Sequence, residues 1–204
     1  MALITAPASF LSRMSRADIT LSRIDFETRS IFNSKRQVLA YPSGSAWRLS
    51  CDFVPMTDMQ AGEWRAFFAR MRGRQNWFQC PVPQYYGPTT GYTGPAGTVS
   101  GAGQVGHSLN VTGLTPSTPI LRAGDFFTVN NQLKMAVENA SSNGSGNATF
   151  TFEPALRGSP ANGAALNLSN PYFLCAATDS DVASWGLRLI RESEFSFSGM
   201  EHIA

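Results

Sequence analysis

A chain of 204 residues is long enough to bury a substantial core, in one large domain or two small ones. Hydrophobic residues make up 43% and charged ones 15%, with 18 Gly, 12 Pro and 14 Phe; this excludes disorder and favours a turn-rich, mainly β protein. A net charge of +2 with no Lys/Arg block excludes a nucleic-acid-coating role, and no stretch reaches the ~20 apolar residues of a membrane-spanning helix.

Residues 1–16 mix small and apolar side chains without period and read as an extended N-terminal arm. Their likeness to a signal peptide is superficial, because no basic segment leads and Arg13 and Arg16 stand where cleavage would occur. From Asp18 the pattern is strand-like: Ile19 and Leu21 alternate with polar neighbours, then Ile24 and Phe26 do so one residue out of phase. That slip predicts a bulge or tight bend near Ser22-Arg23. A short strand over 36–41 ends at the turn signal YPSGS. In SAWRLSCDFVPM, Trp47, Leu49, Cys51 and Phe53 share one face of a half-buried strand, with Arg48, Ser50 and Asp52 on the other. Pro55 closes it and one helix follows, about 58–72. Thr57 is its expected N-cap and Gln60 its capping-box partner; Trp64, Phe67, Phe68 and Met71 form one apolar stripe, and Gly73 is the expected stop. Residues 76–82 make a further strand.

The composition then shifts. Residues 83–104 are rich in Gly, Pro, Thr and Tyr and read as a long loop. Beyond them Leu109 and Val111 open a set of short strands. Phe127 and Val129 alternate, Asn130-Asn131 turns the chain, Leu133, Met135 and Val137 alternate again, and Ala148, Phe150 and Phe152 return after a loop. Leu166 and Leu168 add a last short strand. After Pro171 the aromatic, strand-rich pattern of the first 82 residues resumes with YFLCAA, VASWGLRLI and SEFSFSGM, the last with Phe195 and Phe197 inward. The chain divides into an arm (1–16), an outer β domain (17–88 and 172–204) and an inserted β domain (89–171), whose ends should lie close together.

GAGQVG spells G-x-G-x-x-G at Gly101, Gly103 and Gly106, but a phosphate-binding glycine loop follows a buried strand and opens a helix. Here it leaves a Gly/Pro loop and enters the strand-like HSLNVTGL, so these are linker glycines and no nucleotide cofactor is expected. Cys51, Cys80 and Cys175 lack metal-ligand spacing, so no metal is expected. Their odd number fits reduced, buried thiols, with a Cys51–Cys80 or Cys80–Cys175 bridge as the alternative. Asn110, Asn139, Asn143, Asn147 and Asn167 head N-x-S/T triplets that follow from Asn/Ser/Thr-rich loops. His107 lies in the linker region and His202 on a terminal tail, and no nucleophile elbow exists, so no catalytic residue is assigned. An enzymatic reading would require His107 beside a carboxylate or serine in a cleft. Asp125 reads as a turn cap before a strand, and Glu138 and Glu153 as solvent-face strand residues. Tyr85, Tyr86 and Tyr92, on the Gly/Pro loop, are either an exposed contact surface or anchors that hold the loop to the sheet.

A strand carrying W-R-L-S and F-V-P-M, followed by EWRAFFARMRGRQNWF, resembles the distal tail proteins and related minor tail proteins of long-tailed, siphovirus-type bacteriophages. Trp64, Phe67, Phe68, Gly73, Trp77 and Phe78 carry that likeness. The segment LRAGDFFTVNNQLKMAVENASSNGSGNATFTFEPALR is similar to a β-module recurring in such proteins, through Gly124, Asp125, Val129, Gly146, Ala148, Phe150, Phe152, Pro154, Leu156 and Arg157. Together they cover about half the chain. The resemblance implies a mainly β fold: a tail-tube-like β-sandwich with one flanking α-helix, plus an inserted small, OB-like β-barrel. It further implies a homo-oligomeric ring, a hexamer, that joins the tail tube to the baseplate hub and adsorption apparatus at the virion's tail tip. DNA would pass only as cargo, and assembly would take place in the host cytoplasm. Leu3, Ile4, Phe10 and Leu11 make the arm too apolar for solvent and are expected at a subunit contact. The alternative is a receptor- or carbohydrate-binding tail or surface module that uses the insertion.

Overall fold

The computed structural model describes residues 2–41, 44–180, 186–187 and 192–202. The N-terminal part supplies β1 (Leu3–Ile4), β2 (Met14–Ser22), β3 (Asp25–Arg29), β4 (Arg36–Ala40), β5 (Ala46–Phe53) and β6 (Met56–Thr57). The helix α1 (Asp58–Met71) and β7 (Trp77–Pro81) complete it. The period-two stretch of the sequence is β5, with Trp47, Leu49, Cys51 and Phe53 buried and Arg48, Ser50 and Asp52 exposed. The aromatic stripe of α1 is buried against that face, and Gln60 Oε1 accepts the Thr57 N–H at 3.4 Å. Arg72 and then Gly73 adopt left-handed backbone, which ends the helix at the expected place.

The inserted segment supplies β8 (Thr98–Val99), β9 (Gly106–Thr112), β10 (Pro119–Leu121), β11 (Phe126–Val129), β12 (Gln132–Ala136), β13 (Ala140–Ser141), β14 (Ala148–Leu156) and β15 (Leu166–Asn167). Six of these pair in the order β15-β11-β12-β14-β9-β8. A Thr98–Ala165 bridge and the bond from Val99 N–H to Ala164 O bring the first and last strands together, so the sheet curls into a nearly closed barrel. Phe127, Phe150 and Phe152 fill its interior at ring separations of 5.5 Å from Phe127. Asn130 and Asn131, both at positive φ, make the two-residue turn between β11 and β12.

The chain returns as β16 (Tyr172–Ala177), β17 (Gly186–Leu187), β18 (Glu192–Glu194) and β19 (Ser196–Glu201). The expected strand VASWGLRLI falls mostly outside the described residues. The outer domain's main sheet has the order β1-β7-β16-β19-β5-β2, and β17-β18-β6 form a small sheet beside α1. Val82 N–H bonds Pro171 O at 3.1 Å, and Pro81 pairs with Tyr172, so the barrel enters and leaves through two adjacent strands. The two ends are neighbours, as an insertion requires.

Two local expectations change. The slip at Ser22-Arg23 is the point where the chain leaves the main sheet: β3 and β4 pair only with each other, as a separate hairpin. The expected single-faced alternation of Leu133, Met135 and Val137 is not how β12 is used. Leu133 and Met135 pack on the outer domain's core, while Lys134 and Ala136 are buried on the other face and Val137 lies beyond the strand. A strand sandwiched between two cores loses the alternation that marks a half-solvated one.

Candidate functional site

The most elaborately built polar cluster joins barrel to outer domain. The Glu201 carboxylate, at the end of β19, is fully buried and accepts the N–H groups of Trp47 at 3.2 Å and Leu133 at 3.1 Å. It is ion-paired to Arg157, whose guanidinium also donates to Ser45 O at 2.7 and 3.2 Å. The Trp47 indole N–H donates to Leu133 O at 3.0 Å, and Phe126 meets the Trp47 ring edge-on at 5.5 Å. Beside them Lys134 Nζ donates to Ala155 O at 2.8 Å. Burial, reinforced by Arg157 and partly offset by Glu201 and Glu153, lowers the lysine's pKa to about 7. These groups bond chiefly to one another and to backbone, so the cluster ties the barrel to the outer domain. Arg157 stood out in the sequence only through the family likeness. Glu201 gave no signal, because nothing in a C-terminal GMEH shows that its carboxylate points inward.

The tyrosine loop divides. Tyr92 is buried in the barrel core and donates to Pro95 O at 2.8 Å, so it is an anchor and not an exposed contact. Tyr85 is half-buried and meets Phe126 edge-on at 5.7 Å, and burial together with Asp125 raises its phenol pKa. Tyr86 alone is free, 93% exposed. Tyr85 and Tyr86 border a groove of about 430 Å³ that follows Met14–Ala17 of β2, with Leu11, Gln84 and Asn170. Asp125 caps a turn as expected, accepting the N–H of Arg122 at 2.7 Å, and it also holds Thr89 N–H at 3.0 Å. Glu138 lies in an exposed bend after β12, not on a strand.

The arm is also divided. Phe10 is buried in the chain's own core, 5.2 Å from Phe78 and 5.4 Å from Phe53, so it is a core residue and not the exposed contact expected. Its ring packs on Phe53 of β5, Phe78 of β7 and both Trp64 and Phe67 of α1, a burial that an apolar side chain gains within its own core. Ile4 is half-buried beside β7, and Leu3 and Leu11 remain exposed. Together with Pro7 and Pro81 they shape a groove of about 360 Å³.

His107 lies on β9 with Nδ1 3.4 Å from a Glu153 oxygen, and Arg23 approaches the other oxygen at 4.0 Å. These groups, with Asp25, Tyr41 and Ser45, line a cleft of about 350 Å³ between hairpin and barrel. A histidine beside a carboxylate in a cleft is the arrangement an enzyme would need. Among the described residues no hydrogen bond joins His107 to a hydroxyl or thiol, although Ser45 and Tyr41 line the same cleft. Glu153 is thus a cleft residue rather than a plain solvent-face one. Gly106, at the end of the glycine motif, opens strand β9 and no helix. The three cysteines are buried free thiols, and burial raises the pKa of Cys51 and Cys80. Among the described residues no group of three or more His, Cys, Asp or Glu is placed to hold a metal ion. No described helix is long and apolar enough to cross a membrane.

A scan against protein-family models gives no match, and neither does a search of curated proteins.

Proposed function

We propose that this protein is a structural, ring-forming subunit of a bacteriophage tail tip, a distal tail protein joining the tail tube to the baseplate hub and adsorption apparatus. The observation that carries an assembly role is the apolar surface of the β3–β4 hairpin. Ile31 and Phe32 at its tip are 94% and 98% exposed, and Phe26 is 60% exposed. An isolated two-stranded hairpin is marginal in water, and one that leaves large apolar side chains uncovered at its tip and its base suits docking on a partner. The tail-tip assignment comes from the resemblance on the β5–α1–β7 stretch and on the barrel segment. It is supported by the layout of a one-helix sheet carrying an inserted barrel.

In such a ring the uncovered face of the main sheet would border the lumen. Its rows read Arg16–Asp52–Ser196, Asp18–Ser50–Ser198 and Thr20–Arg48–Met200. Two arginines and two aspartates among hydroxyls make a nearly neutral surface, along which DNA would slide without a strong electrostatic hold. Light scattering and negative-stain imaging of the purified chain test the reading. Six-fold rings are expected; a monomer that persists at micromolar concentration and above overturns it.

A second reading rests on the groove beside Tyr86. An exposed phenol ring flanked by Gln84, Arg16 and Asn170 is the chemistry that binds a saccharide, and binding in a glycan array abolished by Tyr86→Ala would favour a receptor-binding module.

A further inference from the structure

Two uncovered apolar features of opposite shape occur on this chain. One is the hairpin, where every residue of β3 is exposed and the tip carries Ile31 and Phe32. The other is the arm groove of about 360 Å³, shaped by Leu3, Ile4, Pro7, Phe10, Leu11 and Pro81 and bordered by no charged side chain. The hairpin leaves the main sheet at Ser22, the far end of edge strand β2, whereas the groove runs from β1 and β7 along the arm to Leu11, before β2 begins, and no hairpin residue lines it. Within one chain the two do not meet. A protrusion at one border and a matching recess at the other is the requirement for a head-to-tail contact, which closes into a ring when the rotation permits.

We infer that the hairpin tip of one copy seats in the arm groove of the next, Ile31 and Phe32 against Leu3, Ile4 and Leu11. This rests on the assembly reading above and names its interface. The size fits. The tip is two apolar side chains, Ile31 and Phe32 at 94% and 98% exposure, set against a groove of about 360 Å³. The charges of the hairpin flank its tip, with Arg29 and Arg36 sharing Glu27 at 3.1 Å and Lys35 in the turn, and the groove, bordered by no charged side chain, sets no like charge against them. The groove also explains why the arm folds back. Phe10 supplies its floor from the core, and Leu3 and Leu11 stay outside as its walls.

The test uses the full chain with Phe32→Cys and Leu3→Cys together, treated with a short bismaleimide; the three native thiols are buried. Covalent ladders across copies are expected, and they should be absent when Phe32→Cys is combined with Ser50→Cys on the open sheet face. In parallel, Ile31→Ser/Phe32→Ser alters only exposed side chains, so the fold survives, and self-association should weaken on the order of 100-fold or more. If rings form but do not cross-link through these positions, or if the serine variant assembles as well as the parent, the hairpin–groove contact is wrong while the ring reading stands. Cross-linking that succeeds only from Tyr86→Cys overturns this site in favour of the neighbouring groove. A parent chain that stays monomeric removes both.

Discussion

Lys134 is a cation placed where its neutral form is preferred. Its folded pKa of about 7 lies well below the ordinary 10.5, so between those values the unfolded chain binds more protons and stability rises with pH. Cys51, Cys80 and Tyr85 act in the opposite sense, because their raised pKa values withdraw stability once pH passes about 9. Thermal unfolding should therefore show a Tm that climbs from pH 7 to 9 and then levels. In Lys134→Met the climb should vanish. The Glu201–Arg157 pair gives a larger effect. Arg157→Met strands a buried carboxylate and should cost about 3–5 kcal/mol, read as a lowered midpoint in urea. Glu201→Met/Arg157→Met removes both charges and should recover only part of that loss, because the Trp47 and Leu133 N–H groups then lose their acceptor. Neither Lys134 nor Glu201 was legible in the sequence. A charged side chain is read as solvent-facing unless its partner is known, and these partners come from segments 44 and 21 residues away or farther.

At the scale of elements, α1 and β5 were legible to within a residue or two. Each has one wet face and one dry face, so periodicity reports burial directly. Phe68 lies on the dry face of α1, between Phe195 at 5.7 Å and Phe197 at 6.0 Å. Phe68→Ala should cost about 3–5 kcal/mol, enough to lower Tm by roughly 10 °C in calorimetry. The β3–β4 hairpin was legible as two short strands, from Ile24 and Phe26 and over 36–41, but its separation from the main sheet showed only as a slip in phase at Ser22-Arg23. Its alternation is that of any strand, and nothing local says that its partner is the next strand alone. The doublet Phe126-Phe127 was the one hint that β11 has two dry faces, with Phe126 turned to Trp47 and Phe127 to the barrel interior.

At the scale of the whole molecule, a change of sheet was visible as a shift in residue usage after residue 82 and again after Pro171, whereas the arm is no separate unit, because β1 pairs with β7 and Phe10 lies in the main core. The contact between the two domains was not visible, because it is made of scattered residues: Trp47, Phe126, Leu133, Arg157 and Glu201. Its weight can be measured. Replacing residues 84–170 with a short Gly/Ser link should permit chain closure, since Val82 and Pro171 are already hydrogen-bonded. The shortened chain should nevertheless unfold at a lower urea concentration than the parent, because it exposes Trp47 and leaves Glu201 without its cation. Adding Glu201→Met should restore part of the loss. A shortened chain as stable as the parent would show that the outer domain owes nothing to its guest.

The adjacent entry and exit strands make the barrel an exchangeable attachment, hung from a frame that needs no redesign to receive another. Position 201 limits that freedom. Because the frame contributes a sequestered anion to the joint, any substitute must arrive with its own guanidinium and its own free N–H in the right places.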